Sequence, residues 1–240
     1  MLALFLIAAI SWKPVQPGVD YATIDSLHVV RVDPRVARLT AGIASEGHPM
    51  QTAAQWCGMA HLSVAINLGM FNADQRTHTG YLRDGKHVNN PAVNDYRSVL
   101  AFKPLQPVRW IDLDGAKLPD VGAYDVVVQN LRLIAGNRRN VWAPSDRKWS
   151  EAALAIDGSG RLLFLFSRVP YTMRDFNELL LRLPLDVRQA MHLEGGPEAS
   201  LSIHGGGIDV DLCGSYETGF MANDSNRQQW PLPNVLGIAR

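Results

Sequence analysis

Eight short apolar runs, several closed off by tight-turn chemistry, constrain the fold of this chain more than any other feature. They are LHVVRV (27–32), LSVAINL (62–68), SVLAFKP (98–104), VRWIDL (108–113), YDVVVQNLRLI (124–134), AALAID (152–157), RLLFLFS (161–167) and GIDVDL (207–212). Runs of this length, rich in β-branched and aliphatic residues, suit half-buried or buried strands. RDGK (83–86) and DGSG (157–160) supply the Asp-Gly and Gly positions that a tight hairpin needs at positive φ. Two segments read as helices instead. PMQTAAQWCGMA places Pro49 for a first turn and Gly58 as a stop, with Met50, Ala53, Ala54 and Cys57 at helical spacing. TMRDFNELLLRL has Thr172 as N-cap, Asp175 three residues on, and an apolar stripe of Phe176, Leu179, Leu180 and Leu183 before Pro184. The fold class expected is α+β: a single domain with a mixed, mainly antiparallel sheet and a few packed helices.

With 240 residues the chain fits one large domain, assigned to 13–240, behind an apolar segment at 1–12. MLALFLIAAISW is shorter than the ~20 residues that span a bilayer, so no stable membrane span is expected. Its length suits the apolar part of a secretory signal, which points to a secreted or periplasmic protein; a buried first strand or a misplaced start is the alternative. Lys plus Arg (23) balances Asp plus Glu (23). Without a net field, and without aromatics interleaved among basic runs, no nucleic-acid partner is expected. An anionic ligand must therefore be caught locally. Cys57 and Cys213, without metal-finger spacing, read as free buried thiols rather than a pair.

Three clusters carry candidate chemistry. In AMHLEGGPEASL, His192 and Glu194 lie two apart on a strand and so share a face. Gly195 and Gly196 allow a ligand to approach the backbone, and their N–H groups can form an anion-holding nest. In AINLGMFNADQRTHTG, Asn67 ends an apolar strand, where an amide can both donate to and accept from hydroxyls. In RRNVWAPSDRKWSE, Arg147 and Lys148 offer cations for phosphate, while Trp142 and Trp149 offer flat faces to a sugar ring. His192 and Glu194 could also serve as two metal ligands of a phosphodiesterase, but no third ligand has a sequence marker. Tyr216, Glu217 and Trp230 either wall a pocket or pack a returning strand.

The order of these segments resembles the phosphodiester glycosidase family over roughly residues 50 to 205. The family's Asn-Gly-Gly-Phe-Phe motif corresponds here to Asn67-Leu68-Gly69-Met70-Phe71. Its Asp-Gly-Gly-Gly-Ser motif corresponds to Glu194-Gly195-Gly196-Pro197-Glu198, with Ser200 beyond. Glu in place of Asp at 194 lengthens the reach by one C–C bond, ~1.5 Å. Where the family carries an Arg-Thr pair before the strand starting at Ala152, this chain has RKWSE. Arg147 or Lys148 substitutes there, or Ser150 and Glu151 occupy those places without a cation.

The resemblance implies a hydrolase that cleaves the glycosidic bond of a sugar-1-phosphodiester in a glycan or envelope polymer, with no cofactor and no metal. Its catalytic candidates are Glu194, Glu151 and Arg147. The substrate-binding candidates are Asn67, Gly69, Phe71, Asn72, Lys148, His192, Gly195, Gly196, Glu198 and Ser200. The chemistry is coherent, because the leaving phosphate monoester hardly needs a general acid, unlike the alcohol of an ordinary glycoside. It needs cations and N–H donors as charge develops, and a carboxylate near C1. A non-catalytic carbohydrate- or phosphate-binding module on the same scaffold is the other reading.

Overall fold

The computed structural model describes residues 10–114 and 117–240. Its first nine strands are β1 (Lys13–Gln16), β2 (Val19–Ile24), β3 (Leu27–Val32), β4 (Leu39–Ile43), β5 (Leu62–Asn67), β6 (Leu82–Asp84), β7 (His87–Asn90), β8 (Ser98–Phe102) and β9 (Arg109–Asp112). There follow β10 (Val126–Ala135), β11 (Arg139–Asn140), β12 (Trp149–Asp157), β13 (Leu162–Tyr171), β14 (Val187–Gly195), β15 (Ser200–Gly205), β16 (Ile208–Cys213) and β17 (Asn234–Ala239). The α-helices among the described residues are α1 (Ala53–Met59) and α2 (Met173–Arg182), so the fold is mainly β with a small helical part. Most of the signal-like segment 1–12 lies outside the described residues.

The strands form two sheets. The larger runs β1-β2-β3-β13-β12-β14-β10-β6-β7, with β11 and β8 also on β10 and β9 on β8; the smaller runs β16-β15-β5-β17-β4. Every pairing among the described residues is antiparallel, which corrects the expectation of a mixed sheet. The cause is local. Tight turns such as those at Gly85 (φ 53°) and Gly160 (φ 81°) join consecutive strands, and a short turn can only make antiparallel neighbours.

Alternation along the strands sorts side chains into layers. Leu154, Phe164, Leu201 and Leu236 meet in the core between the sheets. Their neighbours Ala153, Ala155, Leu163 and Leu165 face the other way, against Phe176 and Leu180 of α2. On the far side of the small sheet, Trp56 and Cys57 of α1 pack on Leu62, Ala65 and Val235. Each sheet thus has a helix on its outer face. Helix α2 starts as its sequence indicates, with the Thr172 hydroxyl accepting from Asp175 N–H at 3.0 Å. Helix α1 starts later than Pro49, because Thr52 and Gln55 complete a capping box, and Gly58 falls inside its last turn.

Candidate active site

The chemistry-bearing segments converge on the outer face of the large sheet, at the end where α2 begins. Strands β12 and β14 are neighbours there, with Glu151 opposite Gly195 and Ala153 opposite His192. A register shift between Ala152 and Ala153 leaves Leu193 as an extra residue, a β-bulge of the kind that re-aims side chains at strand ends. His192 and Glu194 line one cavity of about 290 Å³, while Leu193 between them faces the core between the sheets. Trp142, Trp149, Leu131 and Met173 give it apolar walls, and Ser145, Arg147 and Glu217 add polar groups.

Behind the wall made by His192 and Trp149, Glu151 is buried and gives both oxygens to these neighbours. Oε1 lies 2.5 Å from His192 Nδ1, and Oε2 accepts from Trp149 Nε1 at 2.7 Å. The Trp149 ring stands edge-on to the imidazole, with centroids 6.0 Å apart. Burial pushes the Glu151 carboxyl up, opposed by the imidazole and the indole N–H. Burial works against the His192 imidazolium too, but the Glu151 charge and hydrogen bond outweigh it and hold His192 above its ordinary value. The two titrate as a unit sharing one short, charge-assisted bond. With Nδ1 engaged, Nε2 is the nitrogen left to act at the cavity.

Glu194 opens on the cavity and keeps part of its surface wet. Its Oε1 accepts from the N–H of Gly195 at 3.1 Å. Burial raises the carboxyl to about 8; His192 and that N–H oppose the rise, while Glu198 and Glu217 reinforce it. Glu198 is raised to about 7, again mainly by burial. Glu194, Glu198 and Glu217, together with Glu151, thus crowd a site that also holds His192 and the exposed Arg147, which makes no ion pair among the described residues.

Several expected site residues act one step away from the cavity. Asn67 spends its whole amide on backbone: Nδ2 donates to the Glu198 carbonyl at 3.0 Å and Oδ1 accepts from Ser200 N–H at 2.8 Å. It pins the turn that carries Glu198. Ser200 is buried, and its hydroxyl also donates to that carbonyl, at 3.2 Å. Gly69 fills a gap no side chain could share, since an added Cβ would sit 2.2 Å from both His78 Nε2 and Asn130 Oδ1. Met70 lines the cavity; Phe71 instead bridges to His78, and Asn72 donates its N–H to the Thr77 carbonyl at 2.8 Å in an exposed loop.

The adjacent cations, in the loop just before β12, go to different hollows. Arg147 lines the cavity, whereas Lys148 lines a different hollow with Tyr171, Asp175 and Glu178. Of the expected anion nest, the Gly195 N–H is occupied by the Glu194 carboxylate. Gly195 is required for another reason: a Cβ there would lie 2.7 Å from Trp149 Cδ1. Glu198 stands beside the cavity and not in its wall.

The sequence leaves Tyr216, Glu217 and Trp230 either walling a pocket or packing a returning strand, and of the three the structure brings Glu217 into the wall. Its segment runs along the start of β12, with Ser150 N–H donating to the Tyr216 carbonyl and Thr218 N–H to the Lys148 carbonyl, at 2.8 and 2.9 Å. A Cβ on Gly196 would meet Glu217 Oε2 at 2.6 Å, so this carboxylate rests on the Gly-Gly turn. Tyr216 lines another hollow and Trp230 packs edge-on against Phe220. Cys57 and Cys213 are both free; Cys57 is buried and Cys213 partly exposed. Among the described residues, no three His, Cys, Asp or Glu side chains are grouped to hold a metal ion, and no helix is long and apolar enough to cross a membrane.

Among solved structures, the chain is similar to the catalytic domain of zebrafish N-acetylglucosamine-1-phosphodiester alpha-N-acetylglucosaminidase, in a form auto-inhibited by its pro-peptide. The TM-score is 0.67 at 13% identity, over 97% of this chain and 85% of that one. A hypothetical protein from Synechocystis gives 0.63 at 13% identity over 96% and 61% of the two chains. A provisionally named exported protein from Burkholderia pseudomallei K96243 gives 0.51 at 12% over 92% and 74%. These likenesses establish the fold. No curated protein sequence matches the chain. The model of the phosphodiester glycosidase domain matches residues 60–239, three quarters of the sequence and all the segments that build the cavity, and the chain therefore belongs to the phosphodiester glycosidase family.

Proposed function

We propose that this protein is a secreted or periplasmic hydrolase that cleaves the glycosidic bond of a sugar-1-phosphodiester in a glycan or envelope polymer. The observation that carries this reading is the shared cavity of Glu194, the Glu151-supported His192 and the unpaired Arg147, walled by two indoles. The sugar stacks against Trp149 or Trp142, as apolar sugar faces do on aromatic rings. Glu194, once ionised, faces C1 as nucleophile or as base for water. Arg147 and the His192 imidazolium take the phosphate as negative charge builds on it, the stabilisation that this leaving group most needs. Glu151 holds the imidazole in one tautomer and favours its charged form. The secreted location rests on the apolar segment 1–12 and on the likeness to a provisionally named exported protein.

Incubation with a synthetic sugar 1-(methyl phosphate), followed by an assay for reducing sugar and methyl phosphate, tests the reading. Release by the native protein and loss of release in Glu194→Gln is the expected pair of results. Ligand uptake by calorimetry with no product over days would instead favour a binding module, and equal turnover by Glu194→Gln would remove Glu194 from its role.

A further inference from the structure

Leu131, Trp142 and Ala143 line two hollows at once: the cavity that holds Glu194, and a second of about 300 Å³ bounded also by Arg97 and Arg132. The dividing wall is fixed. Trp142 Nε1 donates to the Arg132 carbonyl at 2.8 Å, and its N–H donates to Asn140 Oδ1 at 3.1 Å. Asn140 is in turn held by Asn177 Nδ2 of α2 at 2.8 Å.

Arg132 is an unusual lining residue. Its side chain is only 10% exposed, and Nη1 contacts Asp114 at 2.8 Å and Asp112 at 3.8 Å. Its Nε is buried without any hydrogen-bond partner, and Nη2 makes no hydrogen bond among the described residues. A buried N–H is normally paired, so this one is missing an acceptor. The Nε–Nη2 edge is the side by which a guanidinium grips two oxygens of an oxoanion. Arg97, exposed in the same hollow, makes no ion pair among the described residues. Asp95 also lines the hollow, and two carboxylates flank Arg132: Asp114, 77% exposed, and Asp112, 16% exposed with its buried Oδ1 unpaired, so an incoming oxoanion must outcompete both for the guanidinium.

We propose that the Arg97–Arg132 hollow is a second anion subsite, which seats a phosphate or carboxylate of the sugar unit next to the one whose bond is cleaved. The substrate is then an anionic glycan of two or more units, running from the Glu194 cavity across the Trp142 wall. This rests on the function proposed above and extends it.

Calorimetry in the Glu194→Gln background, where turnover is blocked, tests the subsite with four probes. These are a single sugar 1-(methyl phosphate), a two-unit phosphodiester-linked glycan, a two-unit analogue whose second sugar carries a carboxylate instead, and an uncharged disaccharide. At least one charged two-unit probe is expected to bind about tenfold or more tighter than the single unit, the worth of one good charge-assisted contact. Which of the two gains identifies the oxoanion. Arg97→Gln, on the surface, and Arg132→Lys, which keeps the charge but loses the two-pronged edge, should each cut the gain to under about threefold while single-unit binding stays unchanged. A gain that survives both variants, or one shown equally by the uncharged disaccharide, overturns the subsite. Charged two-unit probes no tighter than a bound single unit sink the subsite alone, whereas no binding by any probe sinks the proposed function with it. Two-unit binding that depends on Arg97 without measurable single-unit binding supports the subsite.

Discussion

Glu194→Gln should make the folded protein more stable at alkaline pH even as it removes activity. The carboxyl sits among Glu198 and Glu217 in a half-dry cavity, and burial is the main cause that raises it from 4.5 to about 8. Below about pH 4.5 both the folded and the unfolded chain hold this proton, and the folded state keeps its full advantage from binding it more tightly. Between about 4.5 and 8 the unfolded chain releases the proton while the folded chain retains it, so stability falls as pH rises; above about 8 both are ionised and the advantage is gone. The span from 4.5 to about 8 corresponds to about 5 kcal/mol at ~1.36 kcal/mol per tenfold change in proton activity. Water at the cavity mouth lowers this to about 2–4 kcal/mol. Glutamine keeps an acceptor for the Gly195 N–H, now 3.1 Å from Oε1, and carries no charge at any pH. Urea denaturation of both proteins at pH 4.5 and pH 9 reads the effect. The two should match within about 1 kcal/mol at pH 4.5, with the variant ahead by about 2–4 kcal/mol at pH 9. A gap that does not change with pH, or native protein ahead at pH 9, would refute the buried-carboxyl reasoning.

In the proposed reaction Glu194 acts ionised, so kcat/KM on a sugar 1-(methyl phosphate) should rise with pH along a limb centred near 8; a falling limb there would make Glu194 a proton donor instead. Arg147→Ala should lower turnover about 10- to 150-fold, the worth of a charged hydrogen bond, and Lys148→Ala, whose side chain lies in another hollow, should leave it within about twofold. Gly69→Ala forces a methyl to 2.2 Å from His78 Nε2 and Asn130 Oδ1 and should cost about 2–4 kcal/mol of stability, measured by urea denaturation; a native-like midpoint would show that the loop yields freely. Burial pushes the Cys57 thiol up to about 12, so a thiol reagent at pH 8 should label Cys213 in the native protein and reach Cys57 only after unfolding, as counted by mass spectrometry.

All eight apolar runs became strands, because period-two and all-apolar patterns record burial directly and each strand carries its own pattern. The strands that sequence did not display were those such as β4 (LTAGI) and β17 (NVLGIA), whose glycines break the pattern. There Gly42 and Gly237 are needed for packing, since a Cβ would lie 2.9 Å from Trp56 and 2.5 Å from Leu62. The site was legible to the extent that it is local. His192, Glu194 and Gly195 come from one stretch and face the cavity together. The Glu151–His192 bond was not visible, since it joins residues 41 apart through strand pairing that no short-range pattern encodes. The choice for Glu217 between walling a pocket and packing a returning strand stays open in sequence for the same reason, since it is decided by a C-terminal turn that lies along β12.

The Asn67 motif shows how a residue can shape a candidate site without lining its cavity. Placed at the end of β5 in the small sheet, it grips the Glu198 carbonyl and the Ser200 N–H, on either side of Ala199, and thereby fixes the exit of the Gly196–Glu198 turn that follows Glu194 out of the large sheet. Its Oδ1 satisfies the Ser200 N–H, which burial would otherwise leave unpaired, and its Nδ2 shares the Glu198 carbonyl with the Ser200 hydroxyl. Removing the amide orphans the Ser200 N–H, at about 1–3 kcal/mol, while the Glu198 carbonyl keeps the Ser200 hydroxyl. The disturbance would pass straight to the turn on which Glu217 rests. Asparagine at this place is therefore explained by the geometry of two packed sheets, and the cavity inherits its shape from that join.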